Sequence, residues 1–412
     1  NVLIVIYVFI FVRSKFWSLL MKPSYDIIVV GGGPAGSMTA KYAAENGADV
    51  CVLEKTRDIG YPVRCGEAVG HDGVTQFVEM QKNWIAEKIN SCTLVSPDGT
   101  KLDVPFANET GYILNRRIFD YDLSRLASKA GAQIFTKVKV QGLLFENDKT
   151  IGVKVNHLGE DKEIKGKIIV GADGVDSRVG RWAGLKTSVK IRDMESCMQY
   201  SVSNIEVKRN NMTMFVGKNY APGGYLWIFP KGENFANIGL GISGKYSKHK
   251  SAKKYLDEFM SREFPEASIH TSMCGGCPIA YPIKKPIADN IMIVGDAAHH
   301  INPVTGGGIT PAMKSGMLAG IVGAEAIKCN DQSEKFLEKY VKEIDNDFTK
   351  RHHTLYKIKE AISQLSDEDI NGIARNIDSI PTEKRTLRKV FMSSMLKKPS
   401  LIIDVMRIFT GL

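Results

Sequence analysis

One stretch constrains the fold more than any other: VVGGGPAGSMTAKYAAENGADVCVLE, residues 29–54. The run from Tyr25 to Val30 is apolar and β-branched, SMTAKYAAENG carries helical periodicity and ends in Gly, and ADVCVLE reads as a second strand. This is a β–loop–α–β unit, which predicts a parallel sheet covered by helices. Gly31, Gly33 and Gly36 supply G-x-G-x-x-G at the turn. Glycines there let backbone N–H groups approach a pyrophosphate, which then sits at the positive end of the helix. Glu54 closes the second strand about twenty residues on, placed to accept hydrogen bonds from an adenosine ribose. The unit specifies a dinucleotide and does not separate FAD from NAD.

A later block makes that distinction. In NIMIVGDAAHHINPVTGGGI a strand leads into Asp296, and Gly306, Gly307, Gly308 and Ile309 open another helix. Asp296 can hold a ribityl hydroxyl, and the helix N-terminus can stabilise negative charge on a reduced flavin ring. Two such loops, far apart in sequence, point to one FAD stretched between them.

The 412 residues exceed what one hydrophobic core organises, so two or more interleaved domains are expected. With 43% hydrophobic and 24% charged residues, a disordered chain and a polytopic membrane protein are both excluded. A formal charge of +10 calls for an anionic partner surface, and no nucleic-acid module is legible, so a phospholipid substrate or membrane face takes that place. The seven irregularly spaced cysteines do not form a secreted framework, and a reducing cytoplasm is expected. The apolar run Val2 to Val12 is too short to span a bilayer, and Arg13 and Lys15 interrupt its continuation. We read Met21 as the natural start and residues 1–20 as an upstream hydrophobic extension. The tail from Pro381 is rich in Lys and Arg, with apolar residues spaced for amphipathic helices, which suit either an anionic membrane surface or the protein's own core. From Gly60 to Asn108 the chain reads as irregular with a short helical stretch.

In PGGYLWIFPKGENFANIGLG, residues 222–241, alternation puts Tyr225, Trp227 and Phe229 on one strand face. Taken alone they are core aromatics or the wall of a binding site. Together with the ADGVDSRVGRWAG turn (Asp173, Gly174), GDAAHHINPVTGGGI and YPVRCGEAV, they give the chain a close resemblance to the geranylgeranyl reductase family, in particular the archaeal digeranylgeranylglycerophospholipid reductases. That family shares the FAD fold of 4-hydroxybenzoate hydroxylase. The resemblance runs from Tyr25 to about Ile327 and includes the family's Tyr-x-Trp-x-Phe-Pro strand and following Gly-x-Gly, here Gly239 and Gly241.

The resemblance implies a mixed α/β architecture, with a Rossmann-like FAD domain interleaved with an antiparallel-sheet substrate domain and followed by helices. We expect the FAD domain in 21–75, 110–185 and 285–330, the substrate domain in 76–109 and 186–284, and a helical domain in 331–412. It carries Ala35, Glu54, Cys65, Gly66, Ala68, Arg116, Val140, Asp296, Gly308 and Ile309 over as FAD contacts, beside Gly31, Gly33 and Gly36. Tyr225, Trp227 and Phe229 then line a tunnel for an isoprenoid chain. The implied activity is reduction of geranylgeranyl double bonds in ether phospholipids, a CH–CH oxidoreductase of lipid biosynthesis, cytoplasmic or peripheral at the inner membrane face. Ferredoxin, a deazaflavin or NAD(P)H could each be the electron donor.

Cys65 is the candidate proton donor, or else a ring contact, a pairing partner or a small buried hydrophobe. His299 stands behind it, and with His300 it faces either the flavin edge or its own loop. Cys274 and Cys277 in CGGCP are read as loop cysteines, and a single C-x-x-C does not make a zinc site, so no metal is expected. An aromatic hydroxylase of the same fold, a lycopene-cyclase-like isomerase or electron carrier, and a non-catalytic prenyl-lipid flavoprotein are the rival readings.

Overall fold

A computed structural model of the chain describes residues 21–106 and 110–394. The hydrophobic extension expected at 1–20 and the end of the basic tail, 395–412, lie outside the described residues.

The first sheet is built around Ser24–Val30, which pairs in parallel with Val50–Leu53 on one side and with Glu160–Gly171 on the other. Gln133–Phe135 extends it beyond Val50–Leu53, and Ile291–Ile293 runs parallel to Glu160–Gly171. These strands are apolar runs because both faces are covered, as parallel sheets require. One face packs on the helices Pro34–Glu45 and Ile309–Lys328, through Ile27, Val29, Ile168 and Val170. The other packs on an antiparallel meander of Val138–Glu146, Lys149–His157 and the long strand Glu160–Gly171, through Ile28, Leu53, Val153 and Ile169.

The two helices on the first face touch backbone to backbone. A Cβ on Gly316 would lie 2.2 Å from the Ala35 carbonyl oxygen, and one on Gly320 would lie 2.5 Å from that of Thr39. Only glycine fits at both, and the contact holds the start of one helix beside the loop that opens the other. The two loops that the sequence marks for one cofactor therefore share one place in the fold.

The second sheet has seven strands in the order Ser268–Pro278, Met194–Ser203, Phe235–Ser243, Tyr225–Pro230, Asn211–Val216, Ser91–Val95 and Lys101–Pro105. All neighbours are antiparallel except Asn211–Val216 with Ser91–Val95. One face buries Met198, Tyr200, Leu226, Ile238 and Leu240 against the helix Ala252–Glu263. That helix begins where the Ser251 side chain accepts the Lys254 N–H at 3.2 Å.

The expectation of an irregular segment between 60 and 108 is corrected. Ile85–Ile89, Ser91–Val95 and Lys101–Pro105 are strands, and Ile85–Ile89 pairs with Gly111–Leu114 in a third, small sheet. Each is five residues long with an outward lysine or polar side chain, too short for alternation to stand out. Helices Glu334–Ile344, Lys350–Ile362, Asp367–Asp378 and Leu387–Ser394 follow the second dinucleotide loop. Among the described residues, no helix is long and apolar enough to cross a membrane.

Candidate active site

The glycine loop is shaped as its spacing predicts. Gly31 has φ +106°, and a Cβ there would sit 2.4 Å from the Ala172 carbonyl oxygen. A Cβ on Gly36 would collide with the Gly31 oxygen at 1.9 Å, so this residue sets the packing of helix on strand. Gly33 differs, with no atom within 4 Å of its Cβ direction. That open side is a cradle at the N-terminus of Pro34–Glu45, where a pyrophosphate would meet the helix's free N–H groups. Glu54 accepts from the Gly32 N–H at 2.9 Å and from the Thr56 N–H at 2.8 Å, so its carboxylate is fixed at the rim of the cradle.

Asp296 lies at the other loop, on the wall of a cavity of about 1090 Å³. Its Oδ1 is 3.0 Å from the Cβ direction of Gly308, and its carboxyl receives no hydrogen bond among the described residues. Burial raises its carboxyl to about 6, and the Arg116 guanidinium acts against the rise. Half-buried Asp173, whose N lies 3.4 Å from the Cβ direction of Gly31, also leaves Oδ1 without a partner, while its Oδ2 accepts from the Val179 N–H at 3.0 Å. Two carboxylates short of donors, beside an open glycine cradle, fit the hydroxyls of FAD. Arg116 is held in the same wall. Burial works against its charge, but a two-pronged pair with Asp120 at 2.7 Å on both oxygens keeps it protonated.

The cavity extends from Gly33, Ala35, Gly308 and Ile309 along the free face of the second sheet and ends among Ile362, Ile373, Leu387 and Val390 of the last helices. Period-2 projection decides what lines it. Tyr225, Trp227 and Phe229 stand opposite Gly241, Gly239 and Asn237 of the adjoining strand. The rings contact in series, Tyr225 to Trp227 at 5.8 Å and Trp227 to Phe229 at 6.0 Å between centroids. A Cβ on Gly239 would lie 2.5 Å from the Trp227 ring, and one on Gly66 would lie 2.8 Å from the Phe229 ring. These glycines are the slots into which the aromatics lean. Tyr225 donates its hydroxyl to the Thr305 carbonyl at 2.6 Å, tying the aromatic strand to the second cofactor loop.

Cys65, Gly66 and Ala68 line the cavity. The Trp227 indole N–H donates to Gln199 at 3.1 Å, and Gln199 donates to the Cys65 carbonyl at 2.9 Å. Burial raises the Cys65 thiol, with Arg116 opposing, so it stays protonated. Glu67, left-handed at φ 73° and 3% exposed, binds the Arg116 N–H at 2.9 Å and takes Lys231 and Asn237 on its other oxygen. This network locks the Cys65 segment to the far end of the aromatic strand.

Two expectations are corrected. His299 is buried away from the cavity, its Nδ1 3.1 Å from the Tyr281 carbonyl and its Nε2 3.1 Å from that of Thr187, so it braces its own loop and faces no substrate. His300 packs edge-on against Phe348, and burial holds it neutral, down at about 3. Cys274 and Cys277 are strand residues, not loop residues, within Ser268–Pro278. Cys274 is exposed and Cys277 half-buried, and both border the cavity. Val140 packs its side chain with Leu53 and Val138 in the meander core, on the strand whose Val138 N–H donates to the Glu54 carbonyl at 2.9 Å. No cluster of metal-ligating side chains occurs among the described residues.

Sequence reading missed the rest of the cavity floor. Glu195, Cys197 and Gln199 project from Met194–Ser203, with Glu195 opposite Cys277 and Cys197 opposite Gly241. Met212 and Met214 continue the surface beyond the aromatics. The alternation of Glu195, Cys197 and Gln199 with Met198 and Tyr200 carried the signal, but polar residues at period 2 ordinarily mark a solvent face.

Residues 193–276 match the model of the geranylgeranyl reductase catalytic domain, and residues 29–78 match that of an NAD(P)-binding Rossmann-like domain. A digeranylgeranylglycerophospholipid reductase of Methanocella arvoryzae is 40% identical over 388 residues, which cover 93% of this chain and 99% of that protein. A geranylgeranyl bacteriochlorophyll reductase-like protein of Thermoplasma acidophilum superposes with a TM-score of 0.86 at 33% identity, covering 93% of this chain and 99% of the other. A flavin-dependent brominase shares the fold alone, at a TM-score of 0.71 and 17% identity over 94% of this chain and all of the other.

Proposed function

The chain belongs to the digeranylgeranylglycerophospholipid reductase family, and from that premise we propose that it is an FAD-dependent reductase that saturates the geranylgeranyl chains of archaeal-type ether phospholipids. One observation carries the reading. The cavity of about 1090 Å³ is lined both by the two cofactor loops and by Ile362, Ile373 and Leu387 of the last helices. It is at the upper end of small-molecule sites and far larger than a small polar ring needs, which suits a long flexible chain. That size weighs against an aromatic hydroxylase.

FAD is assigned to the segments 21–75, 110–185 and 285–330. Gly31, Gly33, Gly36 and Glu54 hold its adenosine and pyrophosphate end, and Arg116, Asp296, Gly308 and Ile309 surround the ribityl and ring end. Reduced FAD supplies the hydride. The protein's own part is to exclude water and oxygen: Tyr225, Trp227 and Phe229 give large apolar contact with few rotatable bonds to order, and Met212 and Met214 adapt around it. Segments 76–109 and 186–284 supply this wall, and the helices after residue 331 close its end. The charge of +10 and a lipid substrate support contact with an anionic membrane face, and seven free cysteines support a reducing compartment. Ferredoxin, a deazaflavin or NAD(P)H is the electron donor.

The test is anaerobic. The flavoprotein is reduced with dithionite, digeranylgeranylglycerophospholipid is added, and flavin absorbance is followed with mass spectrometry of the lipid. Oxidised flavin returning as the lipid gains hydrogen in pairs supports the reading; reduced flavin persisting beside unchanged lipid sinks it.

A further inference from the structure

An isolated alkene has no carbonyl to hold developing negative charge, so hydride transfer to one carbon requires a proton on the other. The wall must therefore carry an acid that is protonated in a dry cavity and releases its proton near neutral pH. Cys65, Glu195, Cys197, Tyr225 and Cys277 are the protic groups gathered on this part of the wall. Burial raises both Cys277 and Tyr225 well above their ordinary values, with Glu195 adding to each, and it raises Cys65 and Cys197 as well. All four are weak acids in this setting.

Glu195 differs in geometry before it differs in acidity. It is 8% exposed, and its carboxyl receives no hydrogen bond among the described residues. The slot it occupies exists because residues 224 and 241 are glycine: its oxygens lie 3.0 and 2.7 Å from their Cβ directions. It stands opposite Cys277, whose sulfur is 3.5 Å from the Cβ direction of Gly306 in the second cofactor loop. The carboxyl is thus at the junction of flavin loop, aromatic strand and apolar tunnel. We propose that Glu195 is the proton donor of the reduction, a role that rests on the cavity being the prenyl-chain site.

In the step, the Glu195 O–H bond breaks as a C–H bond forms at one alkene carbon. The hydride that reduced flavin supplies forms the second C–H bond, and the π bond is consumed. The carboxylate left behind recovers its proton from solvent before the next turnover. Burial places the Glu195 carboxyl at about 7, and Lys359 of the helix Lys350–Ile362 acts in the opposite direction. Lys359 is itself engaged by Asp193 at 2.8 Å and Glu360 at 2.9 Å, so it moderates the carboxyl without pairing with it. The other groups facing Glu195 are Cys197 on its own strand, Cys277 and Tyr225, all neutral.

The experiment compares wild type, Glu195→Gln and Glu195→Asp as flavin-loaded proteins. Reoxidation of the reduced flavin by digeranylgeranylglycerophospholipid should fall ~10²–10⁴-fold in Glu195→Gln and recover in part in Glu195→Asp. The wild-type rate should decline as pH rises through about 7. Infrared difference spectra of the oxidised protein, which need no turnover, should show a protonated-carboxyl band that titrates over the same range and is missing from Glu195→Gln. A Glu195→Gln rate within threefold of wild type, or a spectrum without that band, overturns the donor role. Wild type that leaves the lipid unreduced while the band titrates defeats the substrate reading instead, and the donor role with it.

Discussion

Replacing Gly239 with alanine tests whether the glycines opposite the aromatic strand are slots for side chains. The added methyl would lie 2.5 Å from the Trp227 ring and 2.8 Å from the Met198 carbonyl oxygen. Neither neighbour is the loose end of a flexible side chain, so the ring must turn out or the strands must part. Overpacking of this kind costs ~1–3 kcal/mol. If the ring turns out, Gln199 loses its 3.1 Å bond from the indole, and a buried amide left unsatisfied costs a further ~1–3 kcal/mol. Reduced entropy of the unfolded chain returns ~0.4–1 kcal/mol, leaving a net loss of ~1–5.6 kcal/mol. Gly241→Ala is the control. Its methyl meets the Glu195 carboxyl at 2.7 Å and the Cys197 sulfur at 3.3 Å, both side-chain ends that can move. Its stability should stay within ~1 kcal/mol of wild type, while its turnover falls because Glu195 is displaced. Urea midpoints at saturating FAD, compared at constant slope, measure both effects. Equal midpoints for the two variants, or unchanged tryptophan fluorescence in Gly239→Ala, would refute the slot.

Lys231→Met should cost ~3–5 kcal/mol, because it strips the cation from a carboxylate that cannot reach water; Glu67→Gln added to it should restore part of the loss in the same urea assay. Asp296→Asn should remove a pH dependence from the flavin-free protein. The carboxyl is raised from 3.8 to about 6 in the fold, so its ionisation opposes folding: the fold is favoured below the unfolded value, and stability falls as pH rises from about 4 through 6. The span is about 3 kcal/mol for a shift of that size at ~1.36 kcal/mol per unit. Thermal midpoints of flavin-free wild type and Asp296→Asn between pH 4 and pH 7 should converge at the acid end, and parallel curves would show that Asp296 is solvated.

What was legible in the sequence depended on how local each signal is. The β–loop–α–β unit spans residues 24–54 and declares itself by spacing, because Gly31 and Gly36 answer to backbone atoms a few residues away or on the adjoining strand. The three rings on one face were equally legible, since alternation on a strand needs no partner to be read. Ile85–Ile89, Ser91–Val95 and Lys101–Pro105 were not, because five-residue strands are defined by the neighbours they find. His299 looked chemical for its place after Gly-Asp-Ala, yet its φ of 61° turns the ring back onto two carbonyls of its own surroundings. A left-handed turn at a non-glycine residue is a tertiary outcome.

Glu195 was passed over for a different reason, and the reason is instructive about sheets that border cavities. The strand Met194–Ser203 alternates polar and apolar residues as an ordinary half-exposed strand does. Its apolar side is the closed core on Ala252–Glu263, so the polar side is assigned to water by default. Here that side faces an apolar tunnel, and the usual logic inverts: a carboxyl placed there is desolvated, keeps its proton to near neutral pH and becomes chemically available. Nothing within the strand signals the inversion. The adjoining segments do, because Gly224, Gly239 and Gly241 crowd a stretch that otherwise favours large β-formers. Glycine weakens a strand unless something must lie across it. Two of these glycines carry the Glu195 carboxyl and the third carries the Trp227 ring, so in this chain the glycine spacing is the imprint of the acid and the aromatic wall together.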